Sequence, residues 1–519
     1  MSLHHTVMRP LSVIAVVSVA ALLGACASAA PVDPSAAPVA GGELVIAQDS
    51  GATTTDPVAA VSPADIAPMY ALYDTLYTLG EDGVTITPDA AAALPEASAD
   101  ATQFTITLRD DVVFSDGTPV TAEDVAFSLN RARTADGAFS YLLGAVASVS
   151  AADDHTVVIT TSEPSATLPA VLTSWLTAIL PADLEGLSDE EFFAAPIGSG
   201  PFTLDSWETG QSMRVVKNDA YWQTGLPYVD AVEWNTVPDA NTRVSQVQGG
   251  QADVASDVPF SQVEALQSSA TVTAETFPAN YTTMLIFNEA YAPFADEHVR
   301  RAIAQAIDRD TLTASVLFGA GTPACSMLPP SMPFASEPDC PSYDVSAAKA
   351  ELAESAYPDG FAVELTIDND PSSSTTAQIV QAQLAEIGID VEITVVDPGQ
   401  LYTVFGDEAY QMGLAAWASD IPDPDAQLSY MLDPAAGGNS YYTGYDNPEV
   451  TDLIAQGRST IDLEQRAQIY AQVQQIVADE VPQLPLSHHQ NAYAFSRDVQ
   501  NFSVNSMGMV DLLNVSLAE

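Results

Sequence analysis

The stretch Phe104–Arg133 constrains the fold of this chain more than any other segment. Its first part, Phe104–Leu108, alternates apolar and polar residues, which is typical of a strand with one buried face. Ser115–Pro119 is rich in turn-forming residues. Thr121 then offers an N-cap, and acidic residues follow in the first turn, where the helix dipole favours them. The segment therefore predicts a strand, a turn and a capped helix over Ala122–Arg133.

The N-terminus carries the pattern of an export signal. The apolar run Leu11–Leu23 is too short to span a bilayer as a mature helix, but it has the length of a signal-peptide core. Cys26 follows in a Leu-Gly-Ala-Cys sequence that resembles a lipobox, in which the Cys becomes the lipidated first residue. An incidental Cys after an ordinary signal peptide is the alternative. We expect residues 1–25 to be removed and residues 26–40, rich in Ala and Pro, to form a lipidated flexible tether.

The charge balance is extreme, with 14 Lys and Arg residues against 69 Asp and Glu residues and a net charge of −55. Such a surface repels nucleic acid, so we expect no DNA or RNA partner. It also disfavours adhesion to anionic lipid, which makes a covalent lipid the more sensible anchor. A cationic ligand is favoured, but only weakly.

The remaining cysteines, Cys325 and Cys340, lie in a Pro-rich irregular segment. In an oxidising compartment outside the cytoplasm, two such residues predict one disulfide that closes a short loop. Two Cys without a nearby His do not indicate a metal site. His488 and His489 are adjacent, and neighbouring residues on a strand point to opposite faces, so they make a poor chelate. We expect neither a metal nor a cofactor.

The string over Phe104–Arg133 also closely resembles the signature of the family 5 extracytoplasmic solute-binding proteins. These are the peptide, nickel and oligosaccharide receptors of ABC importers. Further blocks resemble the family's motifs and follow in the family's order: Pro196–Phe202, Lys217–Trp222, Leu226–Asp230, Pro238–Arg243 and His298–Arg309. The resemblance thus covers nearly the whole chain after the tether.

The resemblance implies an α/β, two-lobed periplasmic-binding-protein-like (type II) fold with an extra inserted domain and a ligand cleft between the lobes. It assigns residues 41–79, 191–279 and 490–519 to the first lobe, 80–190 to the inserted domain and 280–489 to the second lobe. It also implies hinge segments at Thr276–Leu285 and Leu484–Ala494, and a helix over Met69–Leu79.

The function that the resemblance implies is capture of a small solute, an oligopeptide above all, by a monomer outside the membrane. The closed form would then deliver it to an ABC permease. An oligosaccharide receptor of the same family is the alternative. A secreted hydrolase is the rival from another class, but the chain has no G-x-S-x-G, H-E-x-x-H or P-loop pattern. We therefore expect no enzymatic activity.

Trp417 and Asp420 form the best candidate for a ligand site. A Trp offers a flat apolar wall and a cation–π surface, and a carboxylate in a closed cleft binds an ammonium strongly. In peptide-binding members, the Asp of this "W-x-x-D" pattern takes the free α-amino group. The alternative is a core Trp and a turn-forming Asp. The segment Leu365–Ser374 supplies no Arg or Lys for a ligand carboxylate, which weakens the case for a dipeptide receptor.

The loop after the first strand is a second candidate. Thr53, Thr54 and Thr55 lie in this loop, which lines the cleft in the family, and its backbone could pair with an extended peptide. A plain Asx or ST turn is the alternative. Tyr281 and Tyr442 are further candidates for the cleft, with ordinary aromatic packing as their alternative.

Overall fold

The computed structural model describes residues 38–80, 82–436 and 438–518. The predicted signal peptide, the predicted lipidation site Cys26 and most of the predicted tether lie outside these ranges. Within them, no helix combines the length and the apolar character needed to cross a membrane.

The described chain alternates strands and helices. The strands are β1 (Glu43–Gln48), β2 (Tyr77–Leu79), β3 (Ile86–Pro88), β4 (Glu96–Ala97), β5 (Gln103–Thr107), β6 (Val146–Asp153), β7 (Thr156–Thr161), β8 (Phe202–Glu208), β9 (Ser212–Lys217), β10 (Ala231–Thr236), β11 (Val254–Ala255), β12 (Val272–Phe287), β13 (Gly321–Pro323), β14 (Ala362–Ile367), β15 (Asp390–Val395), β16 (Met412–Ala418), β17 (Gln483–Ser496), β18 (Val499–Gln500) and β19 (Ser516–Leu517). The helices are α1 (Pro63–Leu72), α2 (Ala122–Thr134), α3 (Leu168–Val171), α4 (Asp189–Ala194), α5 (Ala240–Gln248), α6 (Phe260–Gln267), α7 (Glu297–Ala306), α8 (Arg309–Leu317), α9 (Val345–Glu354), α10 (Pro371–Ala385), α11 (Pro398–Gly406), α12 (Pro424–Leu432), α13 (Pro448–Ser459) and α14 (Leu463–Glu480).

One large sheet takes its strands from the beginning, the middle and the end of the chain. Its strand order is β15-β14-β16-β12-β17-β11-β1-β10-β9-β8, with β13 paired to β17. The two longest strands, β12 and β17, lie in its middle as an antiparallel pair that extends from Val272 opposite Ser496 to Ile286 opposite Gln483. The register of this pair shifts between Pro278 and Thr282. Both predicted hinge segments therefore lie within one continuous ladder that links the β1 side of the sheet to the β16 side.

A separate four-stranded sheet, β4-β5-β7-β6, lies within residues 80–190. Its helix α2 begins after Thr121, as the sequence predicts, because the Asp124 carboxylate reaches back to accept hydrogen bonds from the backbone N–H and the hydroxyl of Thr121, both at 2.7 Å. The other oxygen of Asp124 accepts from the N–H of Ala182 at 2.8 Å. The start of this helix is thereby tied to the end of the same segment.

The predicted helix over Met69–Leu79 is wrong beyond Leu72. Tyr73 adopts extended backbone angles, and the following Tyr77–Leu79 is strand β2, paired with β3. The carbonyl of Leu72 instead accepts a hydrogen bond from the N–H of Gly200 at 3.1 Å. The chain therefore leaves the helix where the Gly-Ser-Gly-Pro segment packs against its end.

Glycine is required at two positions in this contact. A Cβ at position 198 would lie 1.9 Å from the Leu72 carbonyl oxygen, and one at position 200 would lie 2.5 Å from the Leu72 carbonyl carbon. Real Cβ atoms essentially never come so close to backbone atoms, so the main chain would have to move. The Gly-Ser-Gly block is thus a packing motif.

We predict that Gly198→Ala lowers the free energy of unfolding by roughly 2–3 kcal/mol, since the methyl group is forced against rigid backbone. Gly399→Ala is the matched control: its Cβ meets nothing within 4 Å, and it lies in the first turn of α11, where Ala is the better helix former. Urea unfolding measures both. Equal stability of Gly198→Ala and the parent protein would contradict the packing account.

Candidate functional site

A cavity of about 390 Å³ lies beside β1 and the start of α1, in the size range of small-ligand sites. One wall comes from β1, α1 and residues 505–513. A second comes from the 80–190 segment, through Pro88 and Asp89 and through Thr173 and Ser174. Asp420 and Pro422 close it from the segment after β16.

The cavity wall is acidic. Among the described residues that line it, none is Lys, Arg or His, whereas six are aspartates: Asp49, Asp74, Asp89, Asp257, Asp420 and Asp511. None of the six takes part in an ion pair of the described chain. The walls of the cavity also carry aromatic rings, from Tyr70, Tyr73, Tyr221, Trp234 and Tyr493.

Asp74 and Asp89 form an acidic pair in the cavity wall, with Asp74 buried and Asp89 partly exposed. Asp74 is only 3% exposed, and its carboxylate accepts the indole N–H of Trp222 at 3.2 Å. Asp89 accepts the backbone N–H of Thr75 at 3.3 Å. Burial, and then the nearby Asp89, raise the pKa of Asp74 well above its ordinary value, and burial raises the pKa of Asp89 to about 7. Two close buried carboxylates resist double ionisation, so the pair retains a proton near neutral pH.

The loop after β16 places Asp420 at the cavity. Strand β16 pairs with β12, with Ala418 opposite Tyr281. Asp423, the N-cap of α12, turns inward and binds the buried guanidinium of Arg466 through two contacts of 2.7 and 3.0 Å. Arg458 holds Asp425 at 3.1 Å in the same way. The loop is thereby anchored from behind.

On its other side the loop contacts the 80–190 segment. Ile421 is 2% exposed and lies in a core cluster together with Phe104 and Val125. The hydroxyl of Tyr141 donates a hydrogen bond to Asp420. Burial raises the pKa of Asp420, and this hydrogen bond opposes the rise. Asp420 is therefore a half-buried carboxylate with a neutral partner, and it faces the cavity.

Trp417 and Tyr442 lie beside the cavity, in an aromatic cluster. The indole of Trp417 lies 5.1 Å from the ring of Tyr430 and 5.5 Å from that of Tyr441, and its Nε1 is buried with no hydrogen-bond partner in the described structure. The ring of Tyr442 is 5.2 Å from that of Tyr441. Neither Trp417 nor Tyr442 lines the cavity itself.

The hydroxyls of the threonine loop are engaged within the protein. The N–H and the hydroxyl of Thr53 donate to the Asp65 carboxylate at 2.7 and 2.9 Å, and the Thr54 hydroxyl accepts from the N–H of Asp56 at 3.0 Å. The Thr55 hydroxyl donates to the carbonyl of Phe193 at 2.5 Å. The cavity is not lined by these three residues. The geometry matches the turn alternative, and Asp49 is the loop's contribution to the cavity.

Tyr281 packs against the hinge strands. Its ring lies 4.6 Å from that of His489, whose Nε2 is 2.7 Å from the Thr283 hydroxyl. Burial, and after it the nearby Tyr402, Asp368 and Asp370, raise the pKa of Tyr281 to about 12.

Cys325 and Cys340 are joined in a disulfide with an S–S distance of 2.00 Å. Over the described ranges, no group of three or more His, Cys, Asp or Glu side chains is arranged to hold a metal ion.

With this geometry established, comparison with known proteins identifies the family. Residues 85–439 match the model of the bacterial extracellular solute-binding proteins, family 5. The chain is also 30% identical over 496 residues to the glutathione-binding protein GsiB of Escherichia coli K12. The aligned region covers 93% of this chain and 94% of GsiB. The chain is a family 5 extracellular solute-binding protein.

Solved structures agree with this family 5 assignment. DppA from Helicobacter pylori, in complex with the peptide STSA, matches with a TM-score of 0.75 and 25% identity, over 93% of this chain and 99% of DppA. AgaA from A. tumefaciens R10, in complex with agropinic acid, matches with a TM-score of 0.75 and 28% identity, over 92% of this chain and 99% of AgaA. The predicted two-lobed periplasmic-binding-protein fold is confirmed, as is the role of a solute-binding protein of an ABC importer. These relatives are binding proteins rather than enzymes.

Of the acidic residues that line the cavity of this family 5 protein, only Asp420 was predicted from the sequence. Asp74, Asp89, Asp257 and Asp511 were not, and neither was Asp49, which lies in the loop after the first strand. The missed residues come from segments far apart in the chain, so no local pattern marks them. They share only an acidic side chain, and acidic residues are too abundant in this chain for that to mark a site.

We predict that substitution of two aspartates three residues apart has very different effects on the free energy of unfolding. Asp423→Asn leaves the buried Arg466 without a counter-charge and lowers the free energy of unfolding by about 3–5 kcal/mol. Asp420→Asn removes a half-buried carboxylate that has no cationic partner, so stability stays within about 1 kcal/mol of the parent or rises. Urea unfolding at pH 7.5 measures both.

The account of the loop fails if the two variants lose the same stability, or if Asp420→Asn is the more damaging. Asp219→Asn, an exposed site with the same change of charge, controls for the general effect of removing an acid from so acidic a chain.

Proposed function

We propose that this protein captures short peptides outside the membrane and delivers them to an ABC permease. One observation carries the proposal: Asp420 faces the cavity as a half-buried carboxylate, and its hydrogen-bond partner among the described residues is the neutral hydroxyl of Tyr141. A peptide's free α-ammonium is a better partner for this carboxylate, because a charged hydrogen bond in a site with little water is strong.

Two relatives support a peptide as the ligand. GsiB is named for glutathione, which is itself a peptide, and DppA was solved with the peptide STSA. The cavity volume suits a short peptide or the N-terminal part of a longer one.

The remaining candidates act in this proposal when the lobes close. The pairing of β12 and β17 would bend where its register shifts, and this motion would bring the aromatic cluster around Trp417 and Tyr442, and Tyr281, toward the threonine loop Thr53–Thr55. Ligand binding would favour the closed form because only that form contacts the peptide from both sides.

The proposed lobes keep the boundaries expected from the sequence, with one adjustment. Leu76 and Tyr77 pack in the same core cluster as Phe104, and β2 pairs with β3. We therefore start the inserted domain at about residue 76 rather than 80. We also propose that the protein acts as a monomer, that it catalyses no reaction, and that a lipid on Cys26 holds it at the membrane.

Native mass spectrometry of the full chain, purified without refolding, tests this function. A series of co-purified masses spaced like amino-acid residues is expected, and Asp420→Ala is expected to reduce bound peptide at least tenfold because the ammonium loses its partner. Asp219→Ala, at an exposed site that does not line the cavity, should bind as the parent does.

A single non-peptide mass, or masses spaced like hexoses, would overturn the peptide assignment. Full retention of peptide by Asp420→Ala would remove Asp420 from the site.

A further inference from the structure

We propose that the ligands are cationic peptides, with basic side chains next to the N-terminus, and that acidic peptides such as glutathione are excluded. This inference rests on the proposed function and narrows its substrate class. It depends on two independent features of the cavity: the sign of the charges around it, and a buried carboxylate built into its wall.

The charges around the cavity have one sign on every side. Asp257 and Asp511 lie on the first-lobe wall, Asp89 on the wall of the 80–190 segment, and Asp420 opposite them. The guanidinium of Arg109, which acts on Asp89 electrostatically, does not line the cavity: it lies 4.2 Å from the ring centre of Trp222 and is paired with Asp111 at 2.8 Å. No basic side chain of the described lining offers itself to a ligand carboxylate.

Asp74 is the second feature. It is 97% buried, it lines the cavity, and it has the Trp222 indole as a neutral partner but no cation. A buried carboxyl group without a cationic partner is costly to ionise, so it holds its proton until a cation arrives. An ammonium or guanidinium from the ligand would complete this site, and the rings of Tyr70, Tyr221 and Trp234 in the same wall offer it cation–π contacts.

The protonation of Asp74 and Asp89 is consistent with binding of a cationic group of the ligand. Burial raises the pKa of Asp89 to about 7, while the nearby Arg109 opposes the rise, and Asp74 is its acidic neighbour. The free pair therefore holds a proton near pH 7, and an arriving cation displaces it. Because binding favours the ionised pair, affinity should fall as the pH drops below 7.

The second lobe carries further acidic residues near Tyr281, which the proposed closure would bring toward the threonine loop. Asp368 and Asp370 lie close enough to the Tyr281 hydroxyl to contribute to its raised pKa, and the surrounding segment Leu365–Ser374 has no basic residue. An acidic peptide would gain one contact through its ammonium but bring its carboxylates against these groups. Such repulsion is how a site rejects a near-analogue of its ligand.

Isothermal titration calorimetry of the full chain at pH 7 tests the inference with C-terminally amidated tetrapeptides of one length. The three probes have two central lysines, two central glutamines or two central glutamates between alanines, and glutathione and spermidine complete the set. The lysine peptide should bind at least tenfold tighter than the glutamine peptide. The glutamate peptide and glutathione should bind at least tenfold more weakly than the glutamine peptide.

Two variants locate the effect. Asp74→Asn and Asp89→Asn should each reduce the preference for lysine over glutamine at least fivefold, whereas Asp219→Asn should leave it unchanged. Titration in two buffers of different ionisation enthalpy should show proton release with the lysine peptide, and Asp74→Asn should reduce it, because burial raises the pKa of Asp74 well above its ordinary value. Circular dichroism establishes that each variant is folded, and either variant alone is sufficient if the other does not fold.

Each outcome separates the inference from the function on which it rests. Equal binding of the three tetrapeptides, or tighter binding of glutathione, would overturn the cationic class and leave the peptide receptor in place. Binding of spermidine without binding of any peptide would overturn the peptide function and leave the cation site. If no probe binds, both are overturned.

Discussion

The antiparallel pair of β12 and β17 is the element on which the remaining architecture depends. It is the one ladder with strands of the β1 side on one flank and strands of the β16 side on the other. The cavity lies next to it: Asn491 and Tyr493 of β17 line the wall directly, and Asp420 follows β16, which is paired with β12. In the proposed closure, a small change of angle in this ladder would move Asp420 relative to Asp74 and Asp89 and would change the width of the cavity.

The loop after β16 shows how the chain separates structural from functional carboxylates. Within six residues, Asp423 and Asp425 are neutralised by Arg466 and Arg458, while Asp420 is left with a neutral hydroxyl. A buried ion pair contributes little net stability, but breaking one is costly, so the arginines fix the loop's conformation. The chain has few basic residues, with 14 Lys and Arg against 69 Asp and Glu. Two of these basic residues lie behind this loop and none lies in the described lining of the cavity, which is the electrostatic basis of the proposed cation selectivity.

Much of the fold could be predicted because local chemistry determines it. The strand and capped helix after Phe104 form where the alternation and the Thr121 cap indicate, since these signals act within a few residues. The end of α1 could not be predicted, because it is imposed by Gly198 and Gly200, more than a hundred residues away. The residues of the candidate site likewise divide into those that a local pattern predicts and those that it does not. Asp420 carries a local motif and does face the cavity, whereas Asp74 and Asp89 acquire their raised pKa values from burial in the folded chain. The threonine loop shows the converse: its pattern was recognised, but its hydroxyls are used by Asp65, by the loop's own backbone and by Phe193.

A crystal structure of the protein with the dilysine tetrapeptide tests the central claim most directly. The account predicts the α-ammonium within about 3 Å of the Asp420 carboxylate and a lysine Nζ within the same distance of Asp74 or Asp89, with the peptide inside the cavity beside β17. A peptide bound outside this cavity, or one that places both lysines in solvent and leaves Asp74 and Asp89 without a cation, would contradict it.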